Sequence, residues 1–558
     1  MSLLFSAKTR LRGAAFALSA LVGVSATIAV PSAAWAARPV VTAPAGAVEG
    51  DKRGNINVFK GIPYAAPPVG ALRWKAPVAM QPWDGVREAD SFGPACLQPV
   101  RKTGSIYAED LGDMSEDCLT LNIWAPKKAE KAGVFVWIHG GALRSGASKQ
   151  TMYDGAKLAK EGIVVVSINY RLGVLGYLAH PELSAESADA VSGNYGLLDQ
   201  IAALEWVQKN IAAFGGDPDN VTIAGESAGA LSVMYLMASP PARGLFHKAI
   251  AQSAYMITTP ELRENKFGQI PQEAIGAWLT GKLAAKNLED LRAMDAETLS
   301  NEALKAGFAP FGTIDGKILP RQLVETFNRG EQAPVPIIAG FNSGEIRSLR
   351  FLLPPEPENA AAYEAAIRTG YGELADAFLA RYPADNIEES MLATTRDAMY
   401  GWTAERLAAS QAALGVPSYL YIFDHGYPAA EKWGLHAFHA SELPFVFGTW
   451  KKTGPLWPRV EGNTADLKTA EAMMGYWSSF VKSDVPVAKG YPGWGPYGDG
   501  QAYIYFADVP RAASDLLPGT FELHETVVCR RFAKGDVSWN WNVGIISPPL
   551  PPKSLECP

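Results

Sequence analysis

Apolar residues in this chain fall into two spacings that alternate along its length. The runs Val134-Phe135-Val136-Trp137-Ile138 and Ile163-Val164-Val165-Val166-Ser167-Ile168 are almost unbroken. A strand with one wet face alternates apolar and polar residues, so an unbroken run suits a strand covered on both faces. Leu197, Ile201, Leu204 and Ile211 instead recur at helical spacing, and Gly215-Gly216 ends that helix. The β-branched run Asn220-Val221-Thr222-Ile223-Ala224 predicts another strand, and residues 228–237 predict a helix directly after it. Residues 248–251, 335–339 and 419–423 predict further strands. Strands alternating with helices imply an α/β domain with a mostly parallel sheet. Residues 258–310 read as helix without strands and are expected to form a cap-like insertion over the site.

Between the predicted strand at 220–224 and its helix stands Gly225-Glu226-Ser227-Ala228-Gly229. Strand, sharp turn and helix are the setting of a G-x-S-x-G nucleophile elbow. A Cβ at either glycine would clash in so tight a turn. The turn puts the Ser227 hydroxyl at a strand tip, beside unpaired helix N–H groups that favour a developing oxyanion. The pentapeptide recurs by chance, so its weight depends on a base, an acid and an oxyanion hole elsewhere. A serine hydroxyl is a poor nucleophile until a base takes its proton. His439, in Ala437-Phe438-His439-Ala440-Ser441-Glu442-Leu443, lies C-terminal to Ser227 as the order Ser, acid, His requires. His425, His436 and His524 satisfy the same order. Glu345 sits in a loop after the 335–339 strand, where functional groups gather, and Asp315 and Asp424 are alternative acids. His139-Gly140-Gly141-Ala142 follows the 134–138 strand and resembles an HGGG-type oxyanion loop.

Composition narrows the class. The 558 residues include no Gly/Ser linker, repeat or long charge block, so one large domain over 37–558 is expected in spite of the length. Pro-rich pieces at 353–357 and 548–552 read as a surface loop and part of a tail over about 546–558. The first 36 residues have the form of an export signal: Lys8, Arg10 and Arg12, then an uncharged apolar run, then Ala34-Trp35-Ala36 as a cleavage site. A periplasmic or secreted protein, cleaved near Ala36, is the expectation. Removing three positive charges from a net charge of −7 leaves −10. That balance lacks the basic footprint of a nucleic-acid binder. No other long apolar span is present, so no stable membrane insertion is expected. Cys96, Cys118, Cys529 and Cys557 form an even set, which favours disulfides in an exported chain. Four cysteines allow three pairings, and no metal-ligand spacing is seen.

These features together resemble the type-B carboxylesterase/lipase family, which includes cholinesterases and liver carboxylesterases. The signatures are Phe59-Lys60-Gly61-Ile62-Pro63-Tyr64-Ala65, Ser115-Glu116-Asp117-Cys118-Leu119-Thr120-Leu121-Asn122, Asn169-Tyr170-Arg171-Leu172-Gly173 and Gly193-Asn194-Tyr195-Gly196-Leu197-Leu198-Asp199-Gln200. Phe214-Gly215-Gly216-Asp217-Pro218 leads into the elbow as in that family. The resemblance implies an α/β-hydrolase fold, a triad of Ser227, Glu345 and His439, and oxyanion donors at the amides of Gly141, Ala142 and Ala228. It places Glu226, Ser253 and Glu442 behind the triad, and it implies a Cys96–Cys118 disulfide, which leaves Cys529 with Cys557. The chain departs from the family at Gly344, where aspartate is usual, and at Ala142, where many members have glycine. The Cys96–Cys118 loop has Tyr107 but none of the tryptophan that binds choline in cholinesterases, so a choline-ester specialist is not expected.

The function these readings imply is a serine carboxylesterase acting on small-molecule esters through an acyl-enzyme, without metal or organic cofactor. Two rival readings exist. A non-catalytic binding ectodomain would have lost the nucleophile, which is intact here. A true lipase needs an interfacial lid, and residues 258–310 contain no clear amphipathic stretch for one.

Overall fold

The computed structural model describes residues 38–99, 104–539 and 543–557, so the expected export segment at 1–36 lies outside the described residues. Arg38–Pro558 forms one compact unit. Its centre is an eleven-stranded sheet. In chain order the strands are β1 (Asp51–Arg53), β2 (Ile56–Pro63), β3 (Thr120–Pro126), β4 (Ala132–Ile138), β5 (Val164–Ile168), β6 (Gly216–Glu226), β7 (Lys248–Gln252), β8 (Ile337–Asn342), β9 (Ser418–Phe423), β10 (Ala502–Phe506) and β11 (Arg511–Ser514). Their order across the sheet is β11-β10-β9-β8-β7-β6-β4-β5-β3-β2-β1. β4 to β10 are mutually parallel, and antiparallel strands flank them on both sides.

The unbroken apolar runs have the expected cause. Along β4, Val134, Val136 and Ile138 enter the core on one face of the sheet, while Phe135 and Trp137 enter the core on the other. Both faces are therefore dry, and period-two alternation has nothing to report. The first long helix, α1 (Tyr195–Asn210), stops one residue before Ile211, which opens a 3-10 turn, Ile211–Phe214. The next, α2 (Ala228–Ala238), is buried at every residue, which its all-round apolar sequence requires. β8 begins at Ile337 rather than Val335: Pro336 lacks the N–H that a central strand needs, and pairing starts just after it.

Register sets the site. Gly225 on β6 lies opposite Ile138 on β4 and beside Ala251 on β7. Gln252 lies opposite Gly340 on β8, and Asn342 opposite Phe423 on β9. The loops after β4, β6, β7, β8 and β9 thus leave the sheet side by side at its carboxyl edge, where open α/β sheets bind ligands.

Residues 258–310 contain the helices α3 (Gln272–Lys282), α4 (Leu288–Ala293) and α5 (Ala296–Ala306). Leu279, Leu288, Leu291 and Leu299 from them form a separate apolar cluster with Trp74, Val174 and Leu175. Cys96 pairs with Cys118, as the family resemblance implied, and the two remaining cysteines, Cys529 and Cys557, pair with each other. The second bridge ties the Pro-rich tail to the last long helix, and Leu550 adds a backbone bond to Gly370. Among the described residues no helix is long and apolar enough to cross a membrane.

Candidate active site

Ser227 sits at φ 56°, ψ −122°, a region that ordinary side chains rarely adopt. The glycines around it are there for space. A Cβ on Gly225 would lie 2.4 Å from the Gly229 carbonyl carbon, and a Cβ on Gly229 would lie 2.1 Å from the Ile138 oxygen. The turn is held by Ser227 N–H donating to Gln252 O (3.0 Å) and by Leu231 N–H donating to Ser227 O (2.9 Å). The residue stays half-buried, so its hydroxyl can be reached.

The loop after β4 runs beside this elbow. A Cβ at Gly140 would meet the Glu226 carbonyl at 2.8 Å and the Ser227 Cβ at 3.3 Å. Gly141 has φ +113°, and Ala142 and Leu143 follow at +57° and +55°. The amides of Gly141 and Ala142 in this loop, and of Ala228 at the start of α2, have no hydrogen-bond partner among the described residues. The Ala142 side chain lies on the exposed side of the loop. His139 braces the loop from beneath. It stacks on Tyr170 with centroids 4.5 Å apart, hydrogen-bonds Gly140 O through Nδ1, and accepts the Tyr170 hydroxyl on its own carbonyl at 2.8 Å. Burial lowers His139 to about 4, so it is neutral and donates from Nδ1.

Glu345 and His439 arrive on two loops that are zipped together. Gly344 N–H donates to Ala437 O at 2.9 Å, and Asn342 Nδ2 donates to Phe438 O at 2.8 Å. A Cβ at 344 would lie 2.8 Å from Leu435 O and 2.9 Å from Ala437 O. Glycine at 344 thus leaves the room that the approach of the two loops requires. His439 Nδ1 hydrogen-bonds Glu345 Oε2, and Asn342 N–H fixes the other carboxylate oxygen at 2.8 Å. His439 Nε2 is 3.1 Å from Glu226 Oε1. That oxygen makes no well-formed hydrogen bond. Glu442 is tied to Gln252 Nε2 (2.9 Å) and Asn342 Nδ2 (2.7 Å), and Trp477 Nε1 holds Gln252 in turn at 2.9 Å.

Three buried carboxyls and one imidazole share this space. Burial raises Glu226 to about 8, against the pull of His439 and with Glu442 and Glu345 adding to it; burial also raises Glu442 to about 7, with Glu345 adding to it and the hydrogen bonds from Asn342 and Gln252 opposing it. Burial by itself would depress His439. The charges of Glu226 and Glu345 overcome that and hold the imidazole up at about 9.

The structure thus joins Glu226, Glu345, Glu442 and His439 in one network directly behind Ser227. Ser253 is different. It is fully buried at the end of β7 with φ 48°, and its hydroxyl bonds to none of the others. The alternative bases and acids are engaged elsewhere. His425 bonds Asp508 and Asp466, His436 bonds Asp424 and Glu431, and His524 meets the Tyr382 hydroxyl. Asp315 is occupied by Asn194 and the amides of Lys317, Ile318 and Leu319. Sequence reasoning missed several supporting residues. The Tyr107 hydroxyl donates to the His439 carbonyl at 2.9 Å and pairs with Ser348 Oγ at 2.7 Å. Asn342, Gln252 and Trp477 hold the carboxyls, and Tyr400 packs on the imidazole. None has a motif of its own, and Asn342 alone had the signal of standing three residues before Glu345 at a strand end.

The carboxylesterase family model matches residues 37–514. A fumonisin B1 esterase from Sphingopyxis macrogoltabida is 38% identical over 79% of this chain and 81% of its own length. A para-nitrobenzyl esterase from Bacillus subtilis is 36% identical over 80% of this chain and 90% of its own. Among solved structures, a PNB esterase aligns with a TM-score of 0.75 at 32% identity, covering 87% of this chain and 98% of its own. A Geobacillus stearothermophilus carboxylesterase aligns at 0.73 with 33% identity, covering 87% and 100%. With its parallel sheet, elbow and loops in the order of the α/β-hydrolase fold, the chain belongs to the carboxylesterase family and is a carboxylic ester hydrolase.

Proposed function

We propose that this esterase works through a Ser227–His439–Glu345 triad and an acyl-enzyme. Ser227 Oγ attacks the ester carbonyl while its proton passes to His439 Nε2. The carbonyl oxygen becomes an oxyanion facing the free amides of Gly141, Ala142 and Ala228. As the tetrahedral intermediate collapses, the bond to the leaving oxygen breaks, and His439 protonates the departing alcohol. Water then attacks the acyl group, gives its proton to His439, and Ser227 leaves with that proton as the acid is released. Glu345 fixes the Nδ1–H tautomer and offsets the imidazolium charge. Glu226, Glu442 and Ser253 act behind these groups. The observation that most supports the scheme is the set of three unpartnered amides beside a half-buried serine held in a strained turn.

Residues 1–36 are proposed as an export signal and 258–310 as a cap. The two disulfides fit an oxidising compartment. The test is turnover of p-nitrophenyl esters from acetate to palmitate by wild type and Ser227→Ala. Short-chain turnover is expected to fall at least about a thousandfold in the variant. Near-normal turnover by Ser227→Ala would sink the scheme, as would a serine-directed organophosphate labelling another residue.

A further inference from the structure

Two tyrosines, Tyr107 and Tyr400, pack against the His439 ring, a third, Tyr255, packs on Tyr400, and their hydroxyls are used in different ways. The Tyr107 hydroxyl is spent on Ser348 and the His439 carbonyl. Tyr400 packs its ring on the imidazole at 5.3 Å between centroids, and Tyr255 meets Tyr400 edge-on at 6.0 Å. Neither of those two hydroxyls has a hydrogen-bond partner among the described residues. Neither is sealed, in contrast to Tyr421, whose hydroxyl is a closed-in orphan.

The backbone around Tyr400 is unusual. It lies in a single π turn, Asp397–Gly401, that separates two α-helices, Ile387–Arg396 and Trp402–Ala413. A π turn inserts a residue, disturbs the regular hydrogen-bond ladder and re-aims side chains, and such turns are kept mostly at functional sites. Tyr255 stands three residues beyond β7, in the chain that leaves the sheet next to the elbow. One phenol thus packs on the imidazole, and a second, from an element remote in sequence, packs on the first.

A phenol this deep normally finds a partner, because an unmet O–H costs free energy. A hydroxyl with no protein partner that still touches open space is left for a ligand or for water. Burial keeps both phenols protonated, with Glu345 reinforcing it at Tyr400 and Glu226 at Tyr255, so they act as donors at any working pH. The space beside His439 is where an ester must lie for Ser227 to attack its carbonyl. Glu226 and Glu345 already stand against the imidazole that borders this space. A substrate carboxylate would add a like charge in a poorly solvated place, which is disfavoured.

We propose that Tyr400 and Tyr255 are specificity residues that donate hydrogen bonds to a neutral oxygen of the ester beyond its scissile group. The favoured substrates are oxygenated esters, bearing an ether, keto or hydroxyl oxygen near the carbonyl, over plain alkyl esters of the same size. The inference rests on the Ser227–His439 reading. That reading fails with Ser227→Ala, whereas this one fails with phenylalanine variants that still turn over ester.

The experiment compares matched pairs in wild type, Tyr400→Phe, Tyr255→Phe and the double variant. On the acyl side the pair is p-nitrophenyl methoxyacetate and butyrate; on the alcohol side it is 2-methoxyethyl acetate and butyl acetate. Each kcat/KM is divided by the ester's alkaline hydrolysis rate, which removes intrinsic reactivity. The wild type should favour the oxygenated member of at least one pair. That ratio should fall about three- to tenfold in the double variant, the span of one neutral hydrogen bond. A ratio that stays within twofold for both pairs would overturn the proposal and leave the hydroxyls to water. A preference for p-nitrophenyl hemisuccinate over butyrate that disappears in the double variant would overturn the neutral-acceptor assignment.

Discussion

Three histidines in the last third of the chain are paired with carboxyl groups, and one of them leaves a ring nitrogen without a well-formed hydrogen bond. His425 has both nitrogens committed at 2.9 Å, to Asp508 and Asp466. Asp466 also closes the capping box of the helix Thr464–Ser483, so this histidine locks a helix start. His436 is likewise filled on both sides, by Asp424 and Glu431, and it pins the loop that leads to His439. His439 has Nδ1 committed to Glu345, while Nε2 meets Glu226 in range but without a well-formed hydrogen bond. A base needs a nitrogen that can exchange partners during the reaction. Pairing with an acid therefore marks nothing by itself; an uncommitted second nitrogen beside a reachable nucleophile does.

The sharpest way to break this comparison is to remove each imidazole. His439→Gln should lose at least about a thousandfold in kcat/KM on p-nitrophenyl butyrate, because the base and the general acid go together. His425→Gln should lose stability and keep kcat/KM within a few-fold once folded protein is counted. Comparable losses in both variants would mean that the network, and not the free nitrogen, matters.

The next largest effect separates the oxyanion loop from the triad. Gly141→Ala puts a methyl 1.9 Å from the Ser145 carbonyl oxygen at a φ of +113°, so the loop must shift. Losing one oxyanion donor typically costs about a hundred- to a thousandfold in kcat. Turnover should fall by about that much, with Ser227 still labelled slowly by an organophosphate. Full turnover would show that the amides of this loop do not face the reacting oxygen.

What the sequence made legible follows this same division. The parallel strands could be read because burial on both faces forces unbroken apolar runs such as Val164–Ile168. The elbow could be read because its glycines are demanded by backbone contacts of 2.1 and 2.4 Å. The antiparallel flank carries no such signal: β2 has Lys60 and Gly61 within it, and β11 is mostly exposed, so neither shows a strong period. The choice among histidines was open on the residues alone, because Glu345 and His439 are 94 positions apart and meet only through the folded loops. The π turn at Tyr400 left no mark either, since a one-residue insertion barely changes helical spacing.

A smaller effect tests the electrostatics of His439. Its proton must be off for it to act as a base, so kcat/KM should rise with pH through the group's titration. The charges that hold it at about 9 place this limb above the ordinary imidazole value of 6.5. Glu226→Gln removes one of those charges, so the limb should move to lower pH by roughly one unit. The limb belongs to the coupled cluster, and its position should respond to Glu442→Gln in the same direction by less. A limb that moved upward in Glu226→Gln would contradict the assigned cause.

The smallest effect distinguishes the stapling role of His436. The Asp424 hydrogen bond raises His436 above the ordinary 6.5 against the opposing pull of burial, and Glu431 adds to it. A raised folded value means that the protonated imidazole stabilises the native state. That contribution is complete below about pH 6.5, the unfolded value, and is lost as pH rises through the higher folded one. Asp424 sets the other boundary. Burial works to raise it, but the hydrogen bond from His436 wins and lowers it below 3.8, so its share is lost only in acid. The Tm difference between wild type and His436→Gln should be greatest between about pH 5 and 6.5 and shrink toward pH 9. With the side chain a third exposed, solvent screens the pair, and a gap of about one to two degrees is expected. Because unfolding of a large disulfide-bonded chain is often irreversible, the comparison holds at one scan rate. A gap that widened with pH would make the neutral imidazole the stabilising form and contradict the cause assigned to His436.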